Sequence, residues 1–273
     1  MSKDRSLVDK LRVVPGELAC LKERDAGHRL GLEDKDAARA LVEELIVELD
    51  GLVARLGAEE TRAVLLVLQG MDTSGKDGTI RRVLTGLNPQ LCQVTSFKPP
   101  SATELAHDYL WRVHTACPPR GHLGVFNRSH YEDVLAARFT GVVSHAQCRL
   151  RYRHLRGFER LLSDEGTTVV KVFLHLSKDE QRNRLQERLD DPVKNWKFQG
   201  SDLEARESWD EYTGAYEEVI TDTSTDHAPW YVVPADRRWV RDAAVATLLV
   251  ETFRALDPQI PPPDPSLRGM LVG

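Results

Sequence analysis

Two hydrophobic periods alternate along the chain. Ala63 to Leu68, Leu123 to Phe126, Thr168 to Leu174 and Trp230 to Val233 are largely apolar runs too short for ordinary helices, so they read as strands, and Cys92 to Phe97 can form another short one. The first has no polar alternation, which marks a strand covered on both faces of a parallel sheet. Between the runs, apolar residues recur every three or four positions. Leu41, Leu45, Leu49, Leu52 and Leu56 form one stripe that ends at Gly57, predicting a long amphipathic helix from Lys35 across the sheet. Helical spacing returns at Ile80, Val83, Leu84 and Leu87, then from Ser101 through Leu105, Tyr109 and Val113, over 145–163, from Lys178 to Leu189, from Glu204 to Thr221 and from Val240 to Leu256. Strand and helix alternate without a composition break, which predicts a single α/β domain over 35–256 with a five-stranded parallel sheet. Residues 1–34 read as an irregular leader, and 257–273 as a Pro-rich tail.

The first strand runs into Gly70-Met71-Asp72-Thr73-Ser74-Gly75-Lys76-Asp77-Gly78, and a helix follows. Strand, glycine loop and helix are the context of a phosphate-binding loop. Gly70, Gly75 and Gly78 let the backbone curl until its N–H groups converge, the helix N-terminus adds partial positive charge, and Lys76 adds a full one. The strict motif has Ser or Thr after the lysine to hold Mg²⁺. Here that place is Asp77, so Asp72, Asp77 and Thr79 are the local candidates for metal or phosphate contact. The competing reading is a glycine turn that binds nothing.

The second expected strand delivers Lys98 to its C-terminal end, where ligands of open α/β sheets bind. The third ends at Asn127 and opens into Arg128-Ser129-His130-Tyr131-Glu132-Asp133. Phosphate-loop enzymes place a carboxylate at that strand end, and an amide cannot neutralise Mg²⁺. The duty then passes to Asp72, Glu132 or Asp133, while Arg128 can fork onto phosphoryl oxygens. The plainer alternative makes Ser129 a helix cap with Glu132 and leaves Arg128 exposed. Farther on, Arg184 and Arg188 lie one helical turn apart, and Lys194 and Lys197 follow Pro192 on a loop, so 178–205 reads as a lid over an extended anion.

Composition narrows the partners. The 273 residues carry 42 acids and 37 bases, a formal charge of −5 that argues against a general nucleic-acid surface. Cys20, Cys92, Cys117 and Cys148 are widely spaced, with no metal-ligand pattern, and read as reduced thiols. No apolar run reaches membrane-spanning length, and the expectation is a soluble cytoplasmic protein.

Four blocks, Gly70-x-Asp72-x-x-Gly75-Lys76-x-Gly78, Phe126 to Val134, Gln181-x-x-Arg184 with Arg188 through Asp191-Pro192-x-Lys194-x-Trp196-Lys197, and Ala228 to Val233, closely resemble the family-2 polyphosphate kinases. The resemblance covers roughly residues 30 to 256 in the same order. It implies a thymidylate-kinase-like, P-loop kinase fold and Mg²⁺-dependent phosphoryl transfer between inorganic polyphosphate and AMP, ADP or ATP, with Mn²⁺ as a second usable ion. It makes Asp72, Lys76 and Arg128 the catalytic set and gives Arg184, Arg188, Lys194 and Lys197 to the lid and the polyphosphate chain. The block around Asn127 resembles the branch that acts on both AMP and ADP. A homodimer or homotetramer is the implied assembly, without nucleic acid or membrane. Two rivals are an ATP-dependent nucleotide or nucleoside kinase on the same fold and a non-catalytic nucleotide-binding switch.

Overall fold

The computed structural model describes residues 6–139, 143–198, 200–267 and 270. In chain order the elements are α1 (Leu7–Leu11), α2 (Lys35–Glu59), β1 (Ala63–Gln69), α3 (Lys76–Leu84), β2 (Cys92–Ser96), α4 (Ala102–Leu105), α5 (Trp111–Ala116) and β3 (Leu123–Asn127). There follow α6 (Glu132–Phe139), α7 (His145–Asp164), β4 (Thr167–His175), α8 (Lys178–Asp190), α9 (Gly200–Glu207), α10 (Trp209–Thr223), β5 (Trp230–Pro234) and α11 (Arg238–Leu256). The five strands form one all-parallel sheet in the order β2-β3-β1-β4-β5, as the apolar runs predict.

Every residue of β1 is buried, because helices cover both faces of the sheet. Val64, Leu66 and Leu68 point into a core shared with Val42, Leu49 and Leu56 of α2 and Val245, Leu249 and Phe253 of α11. Leu65 and Val67 point the other way, toward Leu155 and Phe158 of α7 and Tyr216 and Ile220 of α10. Asp34 caps α2, its carboxylate accepting from the amides of Asp36 and Ala37 at 2.9 and 2.8 Å.

Three expectations change. The Ser101–Glu104 capping box forms, but the helix stops after one turn and Leu105 stays exposed. Asp108 accepts from the amide of Leu110 at 2.9 Å, a local turn that competes with helix, and the chain resumes in α5 with Val113 buried. The helix expected over 204–221 is two, α9 and α10, parted at Ser208. The leader is built into the domain: Leu11, Val13, Ala19 and Leu21 are buried, and the amide of Val13 donates to the Trp230 carbonyl at 2.8 Å. An antiparallel bridge between Arg12 and Tyr231 covers the edge that β5 would otherwise expose.

Opposite the C-terminal strand ends, Arg62 staples the fold. Its guanidinium grips the Glu59 carboxylate through Nε and Nη2, both at 2.6 Å, and donates to the Leu256 carbonyl at 2.7 Å. Glu59 also accepts from the amide of Gln259 at 3.0 Å, which starts the tail against α2. The hydrogen bond from Arg62 leads the causes that lower the Glu59 pKa from 4.5 to about 2. A carboxylate with a depressed folded pKa contributes stability above its unfolded pKa and loses it as pH falls through the folded one. Thermal melts between about pH 5 and pH 2 should therefore show a falling Tm for the native chain, with a shallower fall for Glu59→Gln. Equal slopes in the two proteins would refute the role given to this staple.

Candidate active site

Parallel pairing sets the site. Leu68 of β1 lies beside Asn127 of β3, and Gln69 beside Phe173 of β4, so the loop after β1 emerges between the ends of its two neighbours. This is where the crossovers diverge and an open sheet leaves a crevice. The crevice is a cleft of about 820 Å³ lined by the phosphate loop, the β2 end at Ser96 to Pro99, Asn127, Arg128, the second half of α8 and the start of α11. Nine basic side chains line it (Lys76, Arg81, Lys98, Arg128, Arg184, Arg188, Lys194, Arg238 and Arg241) against three acidic ones (Asp72, Asp77 and Glu187). A chain that is acidic overall has concentrated positive potential in one groove, the arrangement that draws in a polyanion.

The phosphate loop gets its shape from cations that hold its carbonyls. Lys76 Nζ donates to the carbonyls of Gly70 and Met71 at 2.7 and 3.3 Å. Arg184 donates through Nη1 to those of Thr73 and Ser74 at 3.0 and 3.2 Å, and Arg241 adds a second grip on Ser74 at 3.2 Å. Within the loop, the amide of Ser74 closes a turn onto the Met71 carbonyl at 3.0 Å. The first-turn amides of α3, from Lys76 to Gly78, have no helical acceptor and complete an anion cradle. Two glycines are obligatory. A Cβ on Gly70 would lie 2.9 Å from the Leu174 carbonyl, and one on Gly75, whose φ is +101°, would lie 1.7 Å from Arg241 Nη1. Burial lowers the Lys76 pKa, partly offset by Asp72.

Arg128 reaches across the cleft to Asp72, Nη2 to Oδ1 at 3.0 Å, and stands 3.8 Å from Glu132. Asn127 donates its amide to Asp77 at 2.7 Å, which fixes the carboxylate that stands where the strict motif has a hydroxyl. Glu132 is half-buried, and desolvation raises its pKa against the opposing pull of Arg128 and Lys76. Lys98 and Arg188 line the cleft, and Lys194 does so while paired with Asp191. Thus Asp72, Lys76, Arg128, Gly75, Gly78, Lys98, Arg188 and Lys194 share one cleft, with Gly70 at the loop's base.

Three site residues need correcting. Thr79 is fully buried and turned away, its hydroxyl donating to Asp242 of α11 at 3.3 Å. Asp133 does not join Asp72 and Glu132; Arg112 holds it at 3.0 Å, on the side where that arginine also takes the Lys98 carbonyl. Arg184 is no lid finger. Besides Thr73 and Ser74 it donates to Glu180 at 2.8 Å and to the carbonyls of Ala235 and Asp236 at 2.6 and 2.9 Å, so all five N–H groups are used. Helix α8 is accordingly anchored as far as the buried Leu185, and only its end and the following loop project. The side chain of Lys197 lies outside the described residues.

Among the described residues no three His, Cys, Asp or Glu side chains gather as a metal cluster. Mg²⁺ commonly takes one or two carboxylates and completes its shell with water and substrate phosphates. Asp72 and Asp77, both facing the cleft, fit that need without Asp133.

Arg241 and Arg238 escape the sequence reading. The signal for Arg241 was present, since it shares a helical face with Ala244, Val245 and Leu248, all buried, and a charge on such a stripe must have a dedicated partner. Replacing Arg184 with Lys keeps the charge but loses the fork, so Arg184→Lys should destabilise the fold by about 1–3 kcal/mol, whereas Arg188→Lys should stay within about 0.5 kcal/mol. Denaturant melts of the two variants separate the roles; equal effects would return Arg184 to the lid.

The polyphosphate kinase 2 (PPK2) family model matches residues 32–261. An AMP/ADP-polyphosphate phosphotransferase of Meiothermus ruber is 52% identical over 256 residues, covering 93% of this chain and 96% of its own. An ADP-polyphosphate phosphotransferase of Rhodopseudomonas palustris is 45% identical, over 88% of this chain and 87% of its own. The crystal structure of polyphosphate kinase 2 from Arthrobacter aurescens superposes with a TM-score of 0.91 at 40% identity, covering 97% of this chain and 94% of that one. With the phosphate loop, the basic cleft and the five-stranded parallel sheet in place, the chain belongs to the polyphosphate kinase 2 family of phosphotransferases.

Proposed function

We propose that this enzyme transfers the terminal phosphoryl group of inorganic polyphosphate to AMP and to ADP, and runs the reaction in reverse. The observation that carries the reading is the cleft itself: besides Lys76 and the committed Arg184 and Arg241, six cations (Arg81, Lys98, Arg128, Arg188, Lys194 and Arg238) line the approach to the phosphate loop, a spread of positive charge suited to a polyanion longer than one triphosphate. The relatives that match along nearly their whole length support it, one named for AMP and ADP and one for ADP. An ordinary ATP-dependent kinase would need an apolar base slot on the donor side, and the cleft offers only Phe97 and the prolyl ring of Pro99 among its large apolar groups.

Catalysis by this arrangement is positioning and charge stabilisation with no covalent intermediate. The loop amides and Lys76, released from the Gly70 carbonyl, hold the phosphoryl group in transfer. Arg128 moves its charge from Asp72 to the developing negative charge at the transfer point. Asp72 and Asp77 would hold Mg²⁺, with Mn²⁺ as a substitute, and the ion would neutralise phosphate oxygens when bound. Four free thiols, Cys20, Cys92, Cys117 and Cys148, support a cytoplasmic location. No helix among the described residues is long and apolar enough to cross a membrane. Exposed apolar side chains such as Leu105 and Leu161 are surface that a homodimer or homotetramer would cover.

Polyphosphate and Mg²⁺ with AMP alone, and separately with ADP alone, should give ADP and ATP with no ATP supplied. Product only when ATP is the donor would overturn the reading in favour of an ordinary kinase. Lys76→Ala should lower kcat by at least about 10²-fold in a chain that still folds, with a Tm somewhat below native because the carbonyls of Gly70 and Met71 lose their donor. Wild-type turnover in that variant would remove Lys76 from the mechanism. Raising ionic strength from about 0.05 to 0.5 M should raise KM for polyphosphate more than KM for AMP, because the longer polyanion depends on more screened contacts.

A further inference from the structure

Behind the cleft lies a buried polar set that no step of transfer uses. Lys171 sits in the middle of β4, where its neighbours are core side chains, and it is fully buried. Its ammonium donates to Glu159 of α7 at 2.6 Å and to the carbonyl of Thr223 at 2.7 Å. Glu159 is also fully buried; burial alone would raise its pKa, but Lys171 and His130 outweigh it and hold the carboxyl below its ordinary value. Removing two charges from water roughly offsets their attraction, so the pair is weak evidence for stability.

What the pair does is visible on the other carboxylate oxygen. Oε1 accepts from the Tyr131 hydroxyl at 2.7 Å and lies 3.2 Å from Nε2 of His130. Those two residues are consecutive and follow Arg128 and Ser129. The Ser129 hydroxyl accepts from the amide of Tyr131 at 3.2 Å and donates to the side-chain oxygen of Gln69, the last residue of β1, at 3.0 Å, while the Gln69 nitrogen donates to Glu132 at 3.0 Å. At the upstream end the amide of Arg128 donates to the Leu68 carbonyl at 3.1 Å. Between these anchors Arg128 has a φ of +61°, the left-handed region that a long side chain avoids. A strained residue persists only where its surroundings over-determine it.

We propose that Glu159 and Lys171 are positioning residues for phosphoryl transfer, acting through Tyr131 and His130 to hold residues 128–132 in the shape that aims Arg128 across the cleft. The geometry makes the buried carboxylate a fixed post with Lys171 as its counterweight. The kinetic part rests on the functional reading above; the structural part does not.

Tyr131→Phe deletes one hydroxyl and tests the link most cleanly. The paired change Glu159→Gln with Lys171→Met removes both charges without leaving either alone. Each should lower kcat for polyphosphate-dependent transfer about tenfold and leave both KM values within about twofold, because orientation and not binding is lost. In an Arg128→Lys background the same changes should cost less than about twofold, since the group they aim is already altered. Full-size losses in both backgrounds, or an unchanged kcat in folded Tyr131→Phe, would overturn the proposal. Should the paired variant fail to fold, Tyr131→Phe decides. Amide hydrogen exchange at 128–132 gives a readout independent of any donor: it should accelerate about tenfold in Tyr131→Phe, and unchanged exchange would equally refute the positioning role. Accelerated exchange without polyphosphate-dependent turnover in the native enzyme would fault the functional reading and leave the anchor standing.

Discussion

The hold of three cations on the carbonyls of one loop is the constraint on which the rest of the structure depends. A phosphate loop must turn its N–H groups toward the ligand, and its carbonyls must then go somewhere. Lys76, Arg184 and Arg241 take them, from α3, α8 and α11 in turn. Three helices distant in sequence are thereby tied to a few residues of backbone. Arg184 also holds the carbonyls of Ala235 and Asp236 after β5, so the loop, α8 and the last strand form one rigid body around the anion site.

The second anchor works in the same way from below. The segment after β3 carries Arg128 in a left-handed conformation, and Thr73 in the facing loop has a φ of +65°. The site thus places two strained non-glycine residues opposite each other. Local preference would relax both, and a packed, hydrogen-bonded frame prevents it. Asp72 and Arg128 meet at 3.0 Å between these strained points. Both are more than a third exposed, so the pair contributes little stability and is free to re-form on substrate.

Function follows from the contrast between the two kinds of arginine in the cleft. Arg184 and Arg241 are buried and hold carbonyls of the loop, each also braced on a carboxylate of its own helix, Glu180 and Asp242, whereas Arg128 and Arg238 are largely exposed and pair with carboxylates. The first kind preorganises the donors before substrate arrives. The second can exchange a carboxylate for a phosphate oxygen without rebuilding the loop. A polyphosphate chain, uniform and highly charged, needs a rigid transfer point and an adaptable track, and the two populations of arginine supply one each.

The chain by itself determined the parallel sheet, because short strand-like runs, the first wholly apolar, alternate with helical periods and leave few other arrangements, and it determined the phosphate loop, because glycine spacing and Lys76 demand it. The carboxylate-free strand end at Asn127 was equally legible. Tertiary structure alone decided where the charges went. Helical periodicity gives the face on which Arg184 lies but not the partner across from it, and that partner is a loop about 110 residues earlier in the chain. The same limit hid Asp133, one position from Glu132 yet turned to Arg112, since adjacent residues on a helix point about 100° apart. The leader was unreadable for a related reason: its order comes from the β5 edge, and residues 6–34 have no periodicity of their own to announce it.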